Sequence, residues 1–433
     1  MAPTDVRVLW NASIIDVRNR RPQYRMCIWV RDGIIDEVRE ASEPALPDGA
    51  IDLHGRFVMP GLIDAHIHLL DDPAMLGDLA APTPLKGEEP RARELVYFVL
   101  ANAARAFLRF GITTIRDVGC HDDNAIVLRE AIRLGLTEGP RVLACGRILS
   151  ATAPGGRLFH SMYEEADGPW EMRRCVRNQL RRGADYIKVM AGGARSVLRE
   201  NPEPAQLTRE EMDAVVDESH RLGLRVAAHA EGLGAVRSAV EAGVDTVEHG
   251  LSLHRDPLLL EQMARRGTVL VPTLSTFHDV GERFAERWQP SLVQQAKRQQ
   301  EEAHLTLNAA REAGVTLAMG FDSGPPGADA LELVRMVEGG LTPHEGIAAA
   351  TAGSASALGL LDVGTIEPGR TADLVVLNGD PLEDVARLTR AEEFWIVVRE
   401  GRVVAGQALE NGDLLGMPPR SPGIGQPART VTP

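Results

Sequence analysis

From residue 61 the chain alternates short, almost wholly apolar runs with longer amphipathic stretches, and this alternation constrains the fold more than any other feature. Eight apolar runs can be counted: GLIDAHIH (61–68), GITTIRDVG (111–119), RVLACG (141–146), DYIKVM (185–190), RVAAHA (225–230), DTVEHG (245–250), TVLVPT (268–273) and TLAMGFD (316–322). Stretches between them, such as ARELVYFVLANAARAFLRFG and TREEMDAVVDESHRLG, place apolar residues at helical spacing. Buried strands alternating with helices imply βα units and a parallel sheet, and eight such units close a (β/α)8 TIM barrel, predicted here over residues 61–360. The flanks read differently. Residues 1–60 are short strands with turn signals, including Asp32-Gly33 between two β-rich runs, and β grammar returns after Leu361 in VGTIEPGRTADLVVLNGDP and FWIVVREGRVVAG. The expectation is a small β-sandwich domain built from 1–60 plus 361–413, followed by a Pro/Gly-rich tail over 414–433 that buries little.

The polar residues that interrupt the apolar runs are the candidates for chemistry. Side chains on a strand alternate faces, so His66 and His68 point the same way and present two imidazoles at the end of the first run. Imidazole is a good ligand for zinc and its neighbours, although two solvated or core histidines are an equal alternative for this motif alone. Lys188 lies within the fourth run, His229 and His249 end the fifth and sixth, and Asp322 ends the eighth. All six fall at the carboxyl ends of proposed strands, where catalytic residues of such barrels sit. Taken singly, His229 or His249 would more often be a satisfied core residue and Asp322 a loop cap; together they make a ligand set suited to zinc or another divalent transition metal. A lysine flanked by apolar residues is costly as an ammonium. It either pairs with a buried carboxylate or, neutral, adds carbon dioxide to become a carbamate that bridges two metal ions.

These motifs carry a resemblance. VMPGLIDAHIHL, GITTIRDVG, GADYIKVMAGG, VAAHAEG, AGVDTVEHG and VGTIEPGRTADLVVL together resemble the amidohydrolase superfamily over essentially the whole chain. The likeness is to its binuclear branch of prolidase-like enzymes, arginine/lysine carboxypeptidases and ochratoxin-type N-acyl amino acid hydrolases, and more distantly to imidazolonepropionase. The resemblance implies that His66, His68 and Asp322 hold one of two divalent ions, expected to be Zn2+. His229 and His249 hold the other, and Lys188, as N6-carboxylysine, bridges them. It also implies attack of metal-activated water on a carbonyl, with Asp322 taking the proton and passing it to the leaving amine.

The chain departs from this pattern in two places. Gly320-Phe321-Asp322 stands where Gly-Thr-Asp is common, and SATAPGGRLFHSMYEE replaces a Gly-Gly-His-Gly element after the third strand. Arg157 and His160 in that loop are candidate substrate contacts. Arg157 is a candidate fork for a substrate carboxylate, with an ordinary solvated loop charge as the alternative. His278, in the long segment LSTFHDVGERFAERWQP with Phe277, Phe284 and Trp288, is a third candidate; this 275–290 loop could fold over the site or simply pack a helix.

The expected activity is hydrolysis of an amide next to a free carboxylate, as in a dipeptide or an N-acyl amino acid. A cyclic amide hydrolase or deaminase of the same superfamily, and a silent assembly protein on the same fold, are the alternatives. A formal net charge of -14 with no basic cluster argues against nucleic acid or an anionic membrane as partner. No basic and apolar leader opens the sequence, and no run is long enough to span a bilayer. Cys27, Cys120, Cys145 and Cys175 form no framework and read as reduced core thiols. A cytoplasmic enzyme acting on a small molecule is expected, and the resemblance suggests a homo-oligomer.

Overall fold

The computed structural model describes residues 4–17, 21–41, 46–69, 95–159, 161–195, 197, 199–283, 285–322 and 326–412. His160, Phe284 and the 414–433 tail lie outside the described residues. The fold is mixed α/β with parallel sheets. Strands from the two ends of the chain hydrogen-bond into one nine-stranded sheet: Leu374–Leu377 runs antiparallel to Phe57–Pro60, and Thr4–Asp5 pairs with Arg402 and Val403. Asp32 and Gly33 form a two-residue loop between Gln23–Arg31 and Ile34–Glu40, with φ of 51° and 80°. Both being positive, this is the loop that matches strand twist, and Asp-Gly is suited to it. Gly33 also packs against the C-terminal strands, since a Cβ there would lie 2.7 Å from the Glu400 carbonyl oxygen. One face of the sheet encloses a core drawn from both ends, including Leu9, Ile28, Ile35, Val58, Leu374, Val376, Ile396 and Val403.

The middle of the chain forms two parallel sheets. Leu62–Ile67, Ile112–Asp117 and Arg141–Ala144 make one. Tyr163–Glu165, Ile148–Ser150, Ile187–Met190, Val226–Ala230, Thr246–His249 and Val269–Val271 make the other, in that order. Backbone bonds join them on both sides. The Asp185 N–H donates to the Ala144 carbonyl at 2.8 Å on one side. On the other, the 316–320 segment receives the Ala65 N–H at the Met319 carbonyl and gives the Ala318 N–H to Leu270. The eighth predicted strand is therefore this segment, yet it is a single bridge at Leu317 rather than a regular strand. The reason is that the Met319 N–H turns to Ala349 O and Ser354 Oγ, and Asp322 adopts a positive φ of 50°. Helices cover the outside. Arg209–Arg221, for example, starts at Thr208 with a capping box closed by Glu211 and turns Met212, Val215, Val216 and Ser219 inward. The sequence reading missed the two short strands Ile148–Ser150 and Tyr163–Glu165, which order the loop after the third predicted strand. Among the described residues no helix is long and apolar enough to cross a membrane, and all four cysteines are free and buried.

Candidate metal centre

Strand periodicity puts His66 and His68 on one face at the carboxyl end of Leu62–Ile67, with ring centroids 5.6 Å apart. Each has one nitrogen held by an acceptor: His66 Nδ1 lies 2.6 Å from Glu248 Oε2, and His68 Nδ1 lies 2.7 Å from the Gly119 carbonyl. Because those partners only accept, Nδ1 carries a proton in each ring. Both Nε2 atoms face the same oxygen, Asp322 Oδ1, at 3.3 and 3.5 Å. Asp322 is brought there by its own backbone, whose N–H donates to the His66 carbonyl at 2.8 Å. Gly320 permits the approach, since a Cβ would sit 2.6 Å from His66 Cβ. Phe321, the ring that departs from the family pattern, is buried, and its N–H donates to the Asp64 carboxylate.

His249 faces His229, with Nε2 and Nδ1 2.9 Å apart, and its own Nδ1 meets Thr273 Oγ1 at 2.6 Å. His229 Nε2 lies 3.2 Å from the Gly193 carbonyl. Burial, followed by the charge of Lys188, depresses the pKa of His229 to about 3; burial and the His229 charge push His249 well below the ordinary imidazole value. Both rings are therefore neutral and competent as ligands at neutral pH. Burial works against ionisation of Asp322, but the charge and hydrogen bond of His66, with help from His68 and Arg195, outweigh it and hold the pKa at about 2. Ligand atoms of His66, His249 and Asp322 all lie within 4.8 Å of one another, a set able to hold a metal ion.

Lys188 sits 2 % exposed in the strand paired with Val226–Ala230, and its Nζ has no hydrogen-bond partner among the described residues. Burial lowers its pKa, opposed by the charge of Glu248 and reinforced by that of Arg116. A buried amine without a partner, beside imidazoles and a carboxylate, is the donor chemistry that a metal centre would satisfy.

Other candidates lie elsewhere. Arg157 is exposed on the short helix Pro154–Leu158. The His278 ring packs against His304 at 5.7 Å, with Nδ1 3.7 Å from Glu282, among helices rather than with the cluster. Leu274–His278 is helical because its first N–H groups, Leu274 and Ser275, are capped by the Glu332 carboxylate.

Sequence reasoning missed several residues. Glu248 accepts from Arg116 Nη2 at 2.8 Å, from the Thr246 hydroxyl and from His66, and its charge acts on Lys188. The signal was present, because a lone arginine in GITTIRDVG and a lone glutamate in DTVEHG both interrupt apolar strands and call for partners. Arg195 and Glu231 form a second pair, at 3.2 Å, beside His229; only their position after strands bearing Lys188 and His229 hinted at it.

Imidazoles and a carboxylate gathered at strand ends of parallel α/β sheets make a cluster that could hold a metal ion. The chain belongs to the amidohydrolase family, whose profile, "Amidohydrolase family", matches residues 57–404. It is 33 % identical over 384 residues to "Ochratoxinase" of Aspergillus niger, covering 81 % of this chain and 76 % of that protein. It is 29 % identical over 356 residues to "Imidazolonepropionase" of Paracoccus denitrificans, covering 75 % and 80 %. The crystal structure of a Xaa-Pro dipeptidase with bound methionine in the active site superposes with a TM-score of 0.79 at 30 % identity, covering 92 % of this chain and 98 % of that one. The protein is an amidohydrolase-type hydrolase.

Proposed function

We propose that this protein is a binuclear metal-dependent hydrolase of an amide bond next to a free carboxylate, in a dipeptide or an N-acyl amino acid. The scaffold would be a (β/α)8 barrel over 61–360, with a small β-sandwich domain from 1–60 and 361–413; the backbone bonds that join the two parallel sheets on both sides support it. His66, His68 and Asp322 would hold one divalent ion, His229 and His249 the other, and carboxylated Lys188 would bridge them. The observation that carries this reading is the Lys188 Nζ, buried beside that cluster without a hydrogen-bond partner among the described residues. With its pKa lowered by burial, the amine is poised to attack carbon dioxide, losing one proton and gaining a carbamate oxygen pair. Metals bound in such a set supply Lewis acidity, polarising the carbonyl and making water nucleophilic near neutral pH.

The chain's own residues do the rest. Asp322, ionised at neutral pH, accepts the proton of the attacking water and delivers it to the leaving amine nitrogen. Glu248 and the Gly119 carbonyl fix the tautomers of His66 and His68, and Thr273 orients His249. Similarity to a protein named ochratoxinase and to a Xaa-Pro dipeptidase supports an amide in an amino-acid-like substrate. Imidazolonepropionase similarity keeps a cyclic amide as a second reading. We place the enzyme in the cytoplasm as a homo-oligomer acting on a small molecule. The test is hydrolysis of a panel of N-acyl amino acids, dipeptides and cyclic amides by zinc-loaded protein. Turnover confined to carboxylate-bearing linear amides supports the proposal; turnover confined to cyclic amides, or none, defeats it.

A further inference from the structure

We infer that Arg195, rather than any residue of the loop after the third predicted strand, is the side chain that binds the substrate's carboxylate and sets the enzyme's preference for acids over amides. This rests on the reading above that the scissile amide lies next to a carboxylate. Arg195 follows the Lys188 strand by way of Gly192-Gly193. That turn is tightly held: a Cβ on Gly192 would lie 2.9 Å from Ala235 Cβ, one on Gly193 would lie 3.0 Å from Glu200 Cβ, and the Gly193 carbonyl faces His229.

The guanidinium is 11 % exposed and is fixed in plane from three directions. Nη1 donates to Glu231 Oε1 at 3.2 Å, Nη2 donates to Thr276 Oγ1 at 3.0 Å, and the group stacks 4.3 Å over the Phe277 ring. Glu231 Oε1 also lies 3.7 Å from His229 Nε2, so a single carboxylate oxygen separates Arg195 from the imidazole cluster. The charge of Arg195 is felt by His229, His249 and Asp322 alike.

The polarity of this network decides which ligand it fits. Glu231 has one oxygen on Arg195 and the other facing Gln299 Nε2 at 3.4 Å, so the acid is already committed. A guanidinium has five N–H donors, and Glu231 and Thr276 take one from each terminal nitrogen. What the pair offers a ligand is therefore donors in a rigid fork, which match a planar carboxylate. Stacking on Phe277 and the hydrogen bonds to Glu231 and Thr276 pre-pay the ordering of a long side chain. In an acidic protein this cation also supplies the local attraction that an anionic substrate needs.

The experiment compares a panel of N-acetyl amino acids with their matching carboxamides on zinc-loaded, full-length protein. It uses wild type, Arg195→Met, Arg195→Lys and the double variant Arg195→Met/Glu231→Gln, which leaves no uncompensated charge. Calorimetric binding of each pair accompanies turnover. Wild type is expected to favour the acid in kcat/KM by roughly 100-fold, the scale of one or two hydrogen bonds to a charged group. Arg195→Met and the double variant bring that ratio near one, chiefly by raising KM and weakening binding of the acid, with amide turnover changed only a few fold. Arg195→Lys, with its charge but no fork, falls between. A wild-type preference that survives in Arg195→Met overturns the inference alone. Equal losses on acid and amide in all three variants assign Arg195 a structural role and overturn it too. A wild type that shows no preference for acids, or hydrolyses no member of the panel, overturns the reading on which the inference rests.

Discussion

Glu248→Gln tests how the centre is held together. Glu248 is fully buried and makes three contacts: Arg116 Nη2 at 2.8 Å and the Thr246 hydroxyl on Oε1, and His66 Nδ1 at 2.6 Å on Oε2. An amide of the same shape has one oxygen and one NH2. With the oxygen toward Arg116, the NH2 confronts the His66 Nδ1–H, and the ring escapes only by moving its proton to Nε2, the nitrogen facing Asp322. With the amide turned, the NH2 confronts the Arg116 guanidinium. Either way Arg116, 3 % exposed, loses its counter-ion. Removing one partner of a buried ion pair costs about 3–5 kcal/mol, which for a chain of this length is roughly 3–6 °C in Tm. Losing the partner that orients a ligating histidine costs about 10- to 100-fold in metal affinity. Differential scanning calorimetry of metal-stripped protein reads the first effect, and isothermal titration with zinc reads the second. Adding Arg116→Met should recover much of the Tm but none of the zinc affinity, because it removes the unpaired charge without restoring the His66 tautomer. A Glu248→Gln protein that melts within about 1 °C of wild type and binds zinc equally tightly would refute the reasoning.

Three further outcomes are expected. Lys188→Ala should lower metal content from about two divalent ions per chain, measured by plasma emission on purified protein; two ions and full turnover in the variant would remove the bridging role. Asp322→Asn should cut kcat by roughly 100-fold or more while part of the metal stays bound, since the shape persists and the proton acceptor does not; unchanged kcat would reassign the base. Burial pushes Glu332 up to about 7, against the hydrogen bonds from Ser275 and Leu274 that favour its charge. A raised carboxyl pKa means that the folded state holds a proton which the unfolded state releases. Its contribution is therefore complete below about pH 4.5 and lost as pH rises through about 7, roughly 3 kcal/mol in all. Glu332→Gln should flatten Tm against pH across that window, and parallel curves for the two proteins would show that Glu332 does not titrate there.

Local periodicity carried much of this protein's organisation. The apolar runs ended where the regular strands end, within a residue or two, because side-chain alternation and burial act over neighbouring residues. The same rule put His66 and His68 on one face, and it set Lys188, His229 and His249 in strands whose ends could be read one at a time. What local pattern does not encode is which distant groups meet. Arg116 and Glu248, 132 residues apart, and His66 and Glu248, 182 apart, become partners only when parallel strands are brought together. Their pairing was invisible although each was conspicuous alone. The eighth predicted strand lost its regularity to Ala349 and Ser354, which capture the Met319 N–H from later in the chain.

Loops depart furthest from the sequence reading. Arg157 and Arg195 are alike in sequence terms, each a cation just beyond a glycine pair, yet Arg157 is exposed on a short helix while Arg195 is clamped by Glu231, Thr276 and Phe277. Nothing in either loop's own residues sets its direction; packing against Ala235, Glu200 and a threonine 81 residues away does. The strand ends that carry the candidate metal-ligating side chains were thus determined by the sequence itself. The histidine hydrogen-bond partners, the buried counter-ions and the clamping of Arg195 were decided only by tertiary structure, because each depends on a contact that chain periodicity does not specify.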